Sequence, residues 1–142
     1  MHFFPKQRIV VPIDFSDRAN AALGVATQLV AHPTGLHLIH VLSRAPEFDP
    51  TIAEDPQRDV RRRDTALTFM HRRYARGGTE GAHLEVRIGR AAREIAAYAE
   101  EVKADLLVIS SRGLTGLEHE RMGSVAEVVI RFAHCPVLVL RD

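Results

Sequence analysis

The sequence predicts one α/β domain in three layers, α/β/α, with helices on both faces of an open, parallel, five-stranded sheet. Short apolar segments rich in β-branched residues alternate with longer segments whose apolar residues recur at helical spacing. The order is β-α-β-α-β-α-β-α-β, which favours parallel strands with helices packed on both faces. A length of 142 residues with 46% hydrophobic residues suits a single domain over residues 1–142.

The first strand–helix–strand unit occupies the start of the chain. Ile9–Ile13 is an uninterrupted apolar run, typical of a strand buried on both faces. Ser16 is a suitable N-cap for the helix that follows, whose apolar residues recur at helical spacing until the 32–35 segment interrupts it. Leu36–Leu42 is again strand-like, so we expect the first two strands to be parallel.

The middle of the chain combines a loop, a basic helix and an edge strand. Residues 43–56 contain three prolines and several acids, and we expect an irregular loop there. The 57–76 segment predicts a helix with four inward residues: Val60, Leu67, Met70 and Tyr74. Its seven arginines are expected to form a solvated face, with docking of an acidic partner or a phosphate as the alternative. His83–Ile88 alternates apolar and polar residues, as a half-exposed edge strand does.

Two more helices and two more strands complete the pattern. Glu94–Val102 predicts a third helix, and Asp105–Ile109 predicts a fully buried strand. After a glycine-rich loop, a helix beginning at Gly123 and Ser124 is expected to present one apolar face, formed by Val125, Val128, Val129 and Phe132. Val137–Leu140 predicts the last strand, and Cys135 before it is expected to be a small buried hydrophobe rather than a nucleophile.

Charge and composition argue against several classes of partner. Nineteen Lys and Arg against eighteen Asp and Glu give a net charge of +1, too small for a domain that binds duplex nucleic acid through its charge. The apolar runs are far shorter than the roughly 20 residues of a membrane-spanning helix, and no export signal is visible. The eight histidines lack the spacing of a metal site, and the single Cys135 suits a reducing compartment. We therefore expect a cytoplasmic protein that binds neither nucleic acid nor membranes.

Asp14 follows the first strand directly and is a candidate ligand-binding residue. Open parallel sheets bind ligands beyond the carboxyl ends of their strands, beside the point where the strand order reverses. The carboxylate of Asp14 could accept hydrogen bonds from the amino group of a base or from a ribose hydroxyl. An acidic residue that stabilises the start of the following helix is an equally good explanation.

A second candidate site begins where Ser110–Gly116 leaves the fourth strand. Glycines let the main chain approach an oxygen-rich ligand closely, and we expect free N–H groups at Gly123, Ser124 and Val125 that favour an anion. The alternative is a loop whose glycines only form turns, followed by a Ser124 that merely caps its helix. The segment is not a P-loop, because no lysine follows a second glycine at the required spacing.

Several segments along the chain together carry a family resemblance. They are Val10–Ser16, His40 with Val41, Gly89, Ala104–Ile109, Ser111–Gly116, Gly123–Glu127 and Cys135–Val139. With these segments, the chain resembles a single-domain universal stress protein. The resemblance implies a Rossmann-like sheet of the adenine nucleotide alpha hydrolase type with strand order 3-2-1-4-5, in which strands one and four are neighbours.

The resemblance also implies a nucleotide site. The nucleotide-binding branch of the family has the pattern G-x2-G-x9-G-S/T, which here reads Ser110-x2-Gly113-x9-Gly123-Ser124. By likeness, Asp14 and the main chain of Val41 would hold adenine, Gly113 would admit the sugar and phosphate, and the start of the last helix would bind phosphate oxygens. Ser110 replaces the first glycine and would either narrow the ribose site or supply a hydrogen bond. The full set implied is Pro12, Ile13, Asp14, Val41, Ser110, Arg112, Gly113, Gly123, Ser124 and Val125.

The function implied is that of a stress-type regulatory protein that binds ATP, with Mg or Mn held only through the phosphates. The loop offers no lysine, and no second carboxylate beyond Asp14 is evident, so we expect no catalytic residues and at most slow hydrolysis. A nucleotide-free dimeric interaction module is the alternative, and Ser110 favours it. The apolar edge strand 137–140 and the resemblance both predict a homodimer through that strand.

Overall fold

The computed structural model describes residues 2–44, 56–112 and 122–141, and these ranges contain five strands, four α-helices and two short 3-10 helices. The strands are β1 (Ile9–Pro12), β2 (Leu36–Leu42), β3 (His83–Ile88), β4 (Leu106–Ser110) and β5 (Val137–Leu140). The helices are α1 (Asp17–Leu29), α2 (Pro56–Tyr74), α3 (Ala91–Glu101) and α4 (Ser124–Phe132). The predicted strands and helices are therefore all present, with bounds that differ from prediction by a few residues, whereas most of the predicted 43–56 loop lies outside the described residues.

The strands form one sheet in the order β3-β2-β1-β4-β5. Each neighbouring pair is parallel. Parallel neighbours need crossover connections, and the helices supply them. The predicted fold class and strand order are both confirmed.

The sheet is buried on both faces, which explains the uninterrupted apolar runs of the central strands. One face packs Ile9, Val11 and Leu38 against α1 and α2. The opposite face packs Val10 and Ile39 against α3 and α4. Successive strand residues point to opposite faces, so a strand covered on both sides must be apolar at every position.

The predicted inward face of α2 is correct at one end of the helix and wrong at the other. Met70 and Tyr74 are buried, whereas Val60 is 50% exposed. The first turns of α2 lie near the carboxyl end of β2, because Arg62 donates from Nη2 to the main-chain oxygen of Ser43 at 2.9 Å. The sheet therefore provides little apolar surface for Val60 to cover.

The predicted inward face of α4 is also partly wrong. Ala126 and Val129 are the buried residues of this helix, while Val125 and Phe132 are 37% and 49% exposed. Most positions of α4 are apolar, so the spacing of apolar residues alone does not fix the rotation of the helix. The small side chain of Ala126 lets the helix approach the layer beneath it.

Candidate functional site

The carboxyl ends of β1 and β4 are not paired with one another, and the region between them is the candidate crevice. Their pairing extends no further than Val10 and Leu107. Beyond that point β1 continues beside β2 as far as Pro12, and β4 continues beside β5 as far as Ser110. Pro12 has no N–H to donate to a neighbouring strand, which favours this divergence. The strand order reverses here, at the position where open parallel sheets bind ligands.

The β1 side of the crevice is bounded by the Asp14–Ser16 turn. Asp14 Oδ1 accepts hydrogen bonds from the main-chain N–H of Ser16 at 3.0 Å and from its hydroxyl at 2.5 Å. Ser16 is the N-cap of α1, and its Oγ accepts the N–H of Ala19 at 3.1 Å. The predicted cap is therefore observed, and the Asp14 carboxylate binds the capping residue. The carboxylate remains half-buried rather than enclosed.

Phe15, between these two polar residues, has an unusual backbone conformation. Its φ is +66°, which bulky side chains rarely adopt and which costs of order 1–3 kcal/mol. Packing on the α2 side holds it there, because its ring centroid lies 4.7 Å from that of His40 and 4.9 Å from that of Phe69. His40 Nδ1 also lies 2.7 Å from the Ile13 carbonyl oxygen, and since that oxygen only accepts, Nδ1 carries the proton. The end of β1 is thus fixed from the α2 side.

On the β4 side of the crevice, main-chain hydrogen bonds join the end of β4 to β5 and to the start of α4. Ser111 donates its N–H to Leu140 O in β5 at 2.8 Å and accepts the N–H of Gly123 on its own carbonyl oxygen at 2.5 Å. The Ser110 hydroxyl donates to the Arg112 carbonyl oxygen at 2.7 Å. These contacts hold the start of α4 at the end of β4. The prediction of a free N–H at Gly123 is therefore wrong, because Ser111 uses that group.

Gly123 is needed for space rather than for its dihedral angles. Its φ is −64°, which any residue can adopt. A Cβ built at this position would lie 3.0 Å from Ser111 O and 3.3 Å from Arg112 Cα, closer than real contacts usually come. A glycine here lets two stretches of main chain meet.

The first turn of α4 presents the groups suited to an anion. Gly123 is the N-cap, and Ser124 is the first helical residue. The alternative interpretation, in which Ser124 caps the helix, is therefore wrong. Ser124 and Val125 are both exposed, and within the described residues no side chain caps the helix. First-turn N–H groups have no intrahelical partners, and the helix dipole makes this end electropositive. The N–H groups of Ser124 and Val125 are thus the candidates for an anion.

The other predicted residues lie in different positions relative to the crevice. Val41 is half-buried in β2, one strand away from β1, and packs with the α3 and α4 layer. Arg112 is buried and has bonding partners. Gly113 lies outside the described residues. Ser111 was missed by sequence reasoning, because it acts through main-chain atoms. Ser16 was predicted as a cap, but its bond to Asp14 was detectable only from the Asp-x-Ser spacing.

Groups that could support other chemistry are few in the described ranges. No cluster of three His, Cys, Asp or Glu side chains able to hold a metal is found there. Burial, followed by the charge of Asp105, raises the pKa of the half-buried Cys135 thiol, which favours its protonated form. None of the helices in these ranges has the length and apolarity needed to cross a bilayer.

Two related structures with this fold contain adenine nucleotides. A universal stress protein in complex with cAMP is 26% identical with a TM-score of 0.65, over 96% of this chain and 97% of that one. The universal stress protein from Archaeoglobus fulgidus in complex with dAMP is 27% identical with a TM-score of 0.50, over 94% of this chain and 96% of that one.

Sequence comparison identifies the family. The chain is 54% identical to universal stress protein MJ0531 of Methanocaldococcus jannaschii over 59 residues, a match that spans 42% of this chain and 35% of that protein. It is 32% identical to universal stress protein G of Shigella flexneri over 94% of this chain and 97% of that protein. The family model of the universal stress proteins matches residues 6–141. The chain therefore belongs to the universal stress protein family.

Proposed function

We propose that this chain binds an adenine nucleotide, namely ATP, in the crevice between β1 and β4. The observation that supports this most strongly is the divergence of the two strands beside the first turn of α4. The Ser111–Gly123 hydrogen bond brings that turn to the end of β4. An electropositive helix end next to an opening in a parallel sheet suits a phosphate group. The cAMP and dAMP complexes of the two related proteins support the adenine class.

Each part of the crevice has a role in this proposal. Asp14 accepts hydrogen bonds from the base or the ribose, and the main chain of Val41 contacts adenine. The N–H groups of Ser124 and Val125 bind phosphate oxygens, and Gly123 lets the start of α4 pack closely against the end of β4. The rest of the proposed lining is Pro12, Ile13, Ser110, Arg112 and Gly113.

The proposed activity is binding rather than catalysis. The lining supplies one carboxylate, Asp14, and no lysine, whereas phosphoryl transfer needs charge clamps and a group that orients the nucleophile. A divalent cation, Mg or Mn, would be held through the phosphates. We therefore expect a regulatory protein whose state depends on nucleotide occupancy, with hydrolysis that is slow at most.

Titration of the purified protein with a fluorescent ATP analogue, followed by competition with ATP, tests the proposal. Gly123→Val should weaken binding at least about tenfold, because the added side chain would overlap Ser111 O and push the first turn of α4 away from the end of β4. Asp14→Ala should also weaken it, since it removes the carboxylate. Two matched variants should bind as wild type does: Gly24→Ala, where a Cβ would meet nothing within 4 Å, and Asp17→Ala, in the exposed first turn of α1.

Ser110 separates ATP binding from the nucleotide-free alternative. The Ser110 hydroxyl is bonded to the Arg112 carbonyl oxygen, so it is held within its own loop. The proposal therefore expects saturable binding in wild type and little change in Ser110→Gly. If wild type shows no saturable binding at millimolar ATP while Ser110→Gly does, the chain is a nucleotide-free interaction module and the proposal is wrong.

We also propose a homodimer through β5. This strand is at the edge of the described sheet, and each of its residues is half-buried. An unprotected apolar edge tends to pair with another chain. Sedimentation as a monomer at tens of micromolar would contradict the dimer. The cytoplasmic location stays a prediction.

A further inference from the structure

A groove of about 550 Å³ lies on the α1 and α2 face of the sheet, beside the ends of β1 and β2. It adjoins the crevice proposed for nucleotide at the Asp14–Ser16 turn, to which Phe15 belongs, and it faces the α1 and α2 layer. Phe15 and Leu42, which line it, pack with the α1 and α2 layer. Val41, proposed to contact adenine, packs with the opposite layer. The volume of the groove is within the range of roughly 300–1,000 Å³ that is usual for small-molecule sites.

One side of the groove is apolar and rigid. The rings of Phe15 and Phe69 meet edge to face, with centroids 4.9 Å apart and an interplanar angle of 88°. Phe69 is 49% exposed although it adjoins Leu42 and Ala66 in the lining. Phe15 cannot easily move away, because His40 and Tyr74 also contact its ring. This apolar surface is therefore in place before any ligand arrives.

The other side of the groove is cationic. Arg58, Arg61 and Arg62 line it from the first two turns of α2. The spacing i, i+3, i+4 puts the three guanidinium groups on one helical face, where like charges repel one another. Arg62 is held at the rim by bonds to Asp59 at 3.2 Å and to Ser43 O at 2.9 Å. Arg61 also has a partner of its own, so an anionic group in the groove would add to the existing interactions of these arginines.

We propose that this groove is a second binding site, for a small amphiphilic anion. Its aromatic or acyl body packs on Phe15, Leu42 and Phe69, and its carboxylate, sulfonate or phosphate head pairs with the arginines at 58, 61 and 62. Charge complementarity selects the anion, and the apolar wall selects a ligand with a hydrophobic body. A fully polar anion such as inorganic phosphate would leave that wall in contact with water and bind weakly.

A pair of probes that differ by one charge tests the proposal. Anilinonaphthalene sulfonate carries the anionic head, and N-phenylnaphthylamine is its uncharged parent. We expect the sulfonate to fill one saturable site per folded chain. The double variant Arg58→Gln/Arg61→Gln should weaken sulfonate binding about five- to tenfold and change binding of the uncharged probe less than about twofold, as expected for two partly exposed charge interactions.

Matched variants control for net charge and for the apolar wall. Arg63→Gln/Arg72→Gln removes the same charge from exposed positions of the same helix, outside the groove lining, and should bind both probes as wild type does. Phe69→Ala should weaken both probes. The glutamine variants keep a good helix former at exposed or half-exposed positions of α2, so they remain informative even if Phe69→Ala unfolds. Far-ultraviolet circular dichroism and the thermal midpoint verify folding.

Three results would overturn the proposal. An equal loss of sulfonate binding in the groove double variant and in the control double variant would mean that overall charge, not the groove, attracts the probe. Displacement of the probe by ATP that disappears in Gly123→Val would place the probe in the nucleotide crevice. Absence of any saturable site would leave the groove without a ligand of this class. Failure of ATP binding would not affect these measurements, so the two proposals fail independently.

Discussion

Two chain segments flank the same crevice and are held together by different means. The turn after β1 depends on side chains, because Asp14 holds Ser16 and Ser16 caps α1. The start of α4 depends on main-chain atoms, because the Ser111 carbonyl oxygen accepts the N–H of Gly123. The first arrangement requires particular functional groups. The second requires the absence of a Cβ.

The comparison reverses the usual association between glycine and positive φ. The bulky Phe15 has a φ of +66°, and Gly123 has an ordinary φ of −64°. Phe15 is kept in its conformation by the aromatic rings around it, and Gly123 by the closeness of Ser111 and Arg112. Conformation at the crevice is therefore determined by contacts between elements more than by local preference.

The largest expected effect is that of Gly123→Val on the main-chain contact. A branched side chain would overlap Ser111 O and should lower the free energy of unfolding by about 2–3 kcal/mol. Gly24→Ala, in an open helical position, should instead raise it by about 0.5–1 kcal/mol. Urea unfolding followed by circular dichroism measures both. If Gly123→Val unfolds at the same urea concentration as wild type, the contact with Ser111 is not tight.

Acid should destabilise the fold through His37, which is distant from the turn after β1 and from the start of α4. Burial, then the charges of His83 and Arg8, lowers the pKa of His37 from 6.5 to about 4. His37 stacks on His83 at 4.5 Å between ring centroids and contacts the Tyr98 hydroxyl at 3.2 Å. Between pH 6.5 and 4 the unfolded chain binds more protons than the folded one, so stability falls as pH falls.

The expected acid loss is about 3 kcal/mol and is complete below the folded-state pKa of His37. Urea unfolding at a series of pH values measures it. His37→Gln should flatten this dependence, and His32→Gln, at an exposed position, should leave it unchanged. The difference in free energy of unfolding between wild type and Gly123→Val should stay constant over this pH range, because His37 contacts neither the turn after β1 nor the start of α4. An identical pH dependence in His37→Gln would show that another group is responsible.

Ser16→Ala should lower the free energy of unfolding by about 1 kcal/mol, the usual cost of losing a helix N-cap. Asp14→Ala should cost a similar amount, since it removes the partner that orients the Ser16 hydroxyl. The double variant should cost clearly less than the sum of the two, because the residues share one hydrogen-bonded unit. Additive costs in urea unfolding would mean that Asp14 and Ser16 act separately.

The smallest effect is expected for Ser110→Ala. It removes a single hydroxyl bond to the Arg112 carbonyl oxygen, worth about 0.5–1 kcal/mol at a half-buried position. The Ser111–Gly123 bond should survive, so thermal unfolding should stay cooperative. A loss well above that of Ser16→Ala would show that this hydroxyl, rather than the main chain, holds the β4 side together.

Much of the fold could be predicted because it depends on local patterns. The run beginning at Ile9 indicated a strand buried on both faces, and the alternation in His83–Ile88 indicated the edge strand that is observed. Ser16 was recognisable as a cap, because an N-cap needs a particular side chain at a helix start. The inward faces of the helices were predicted less well, as Val60 and Phe132 show. Their burial depends on how far the neighbouring sheet extends, which helical spacing does not encode.

The amino-acid sequence by itself determined the alternation of strands and helices, the double-sided burial of the sheet and the cap of α1. Those features follow from periodicity and from short-range hydrogen bonding. Only the tertiary structure decided that Phe15 takes a positive φ, that the N–H of Gly123 is bonded to Ser111, and that arginines of α2 meet two phenylalanines in a groove. Each of these depends on residues far apart in the chain, whose approach is governed by packing of whole elements rather than by local preference.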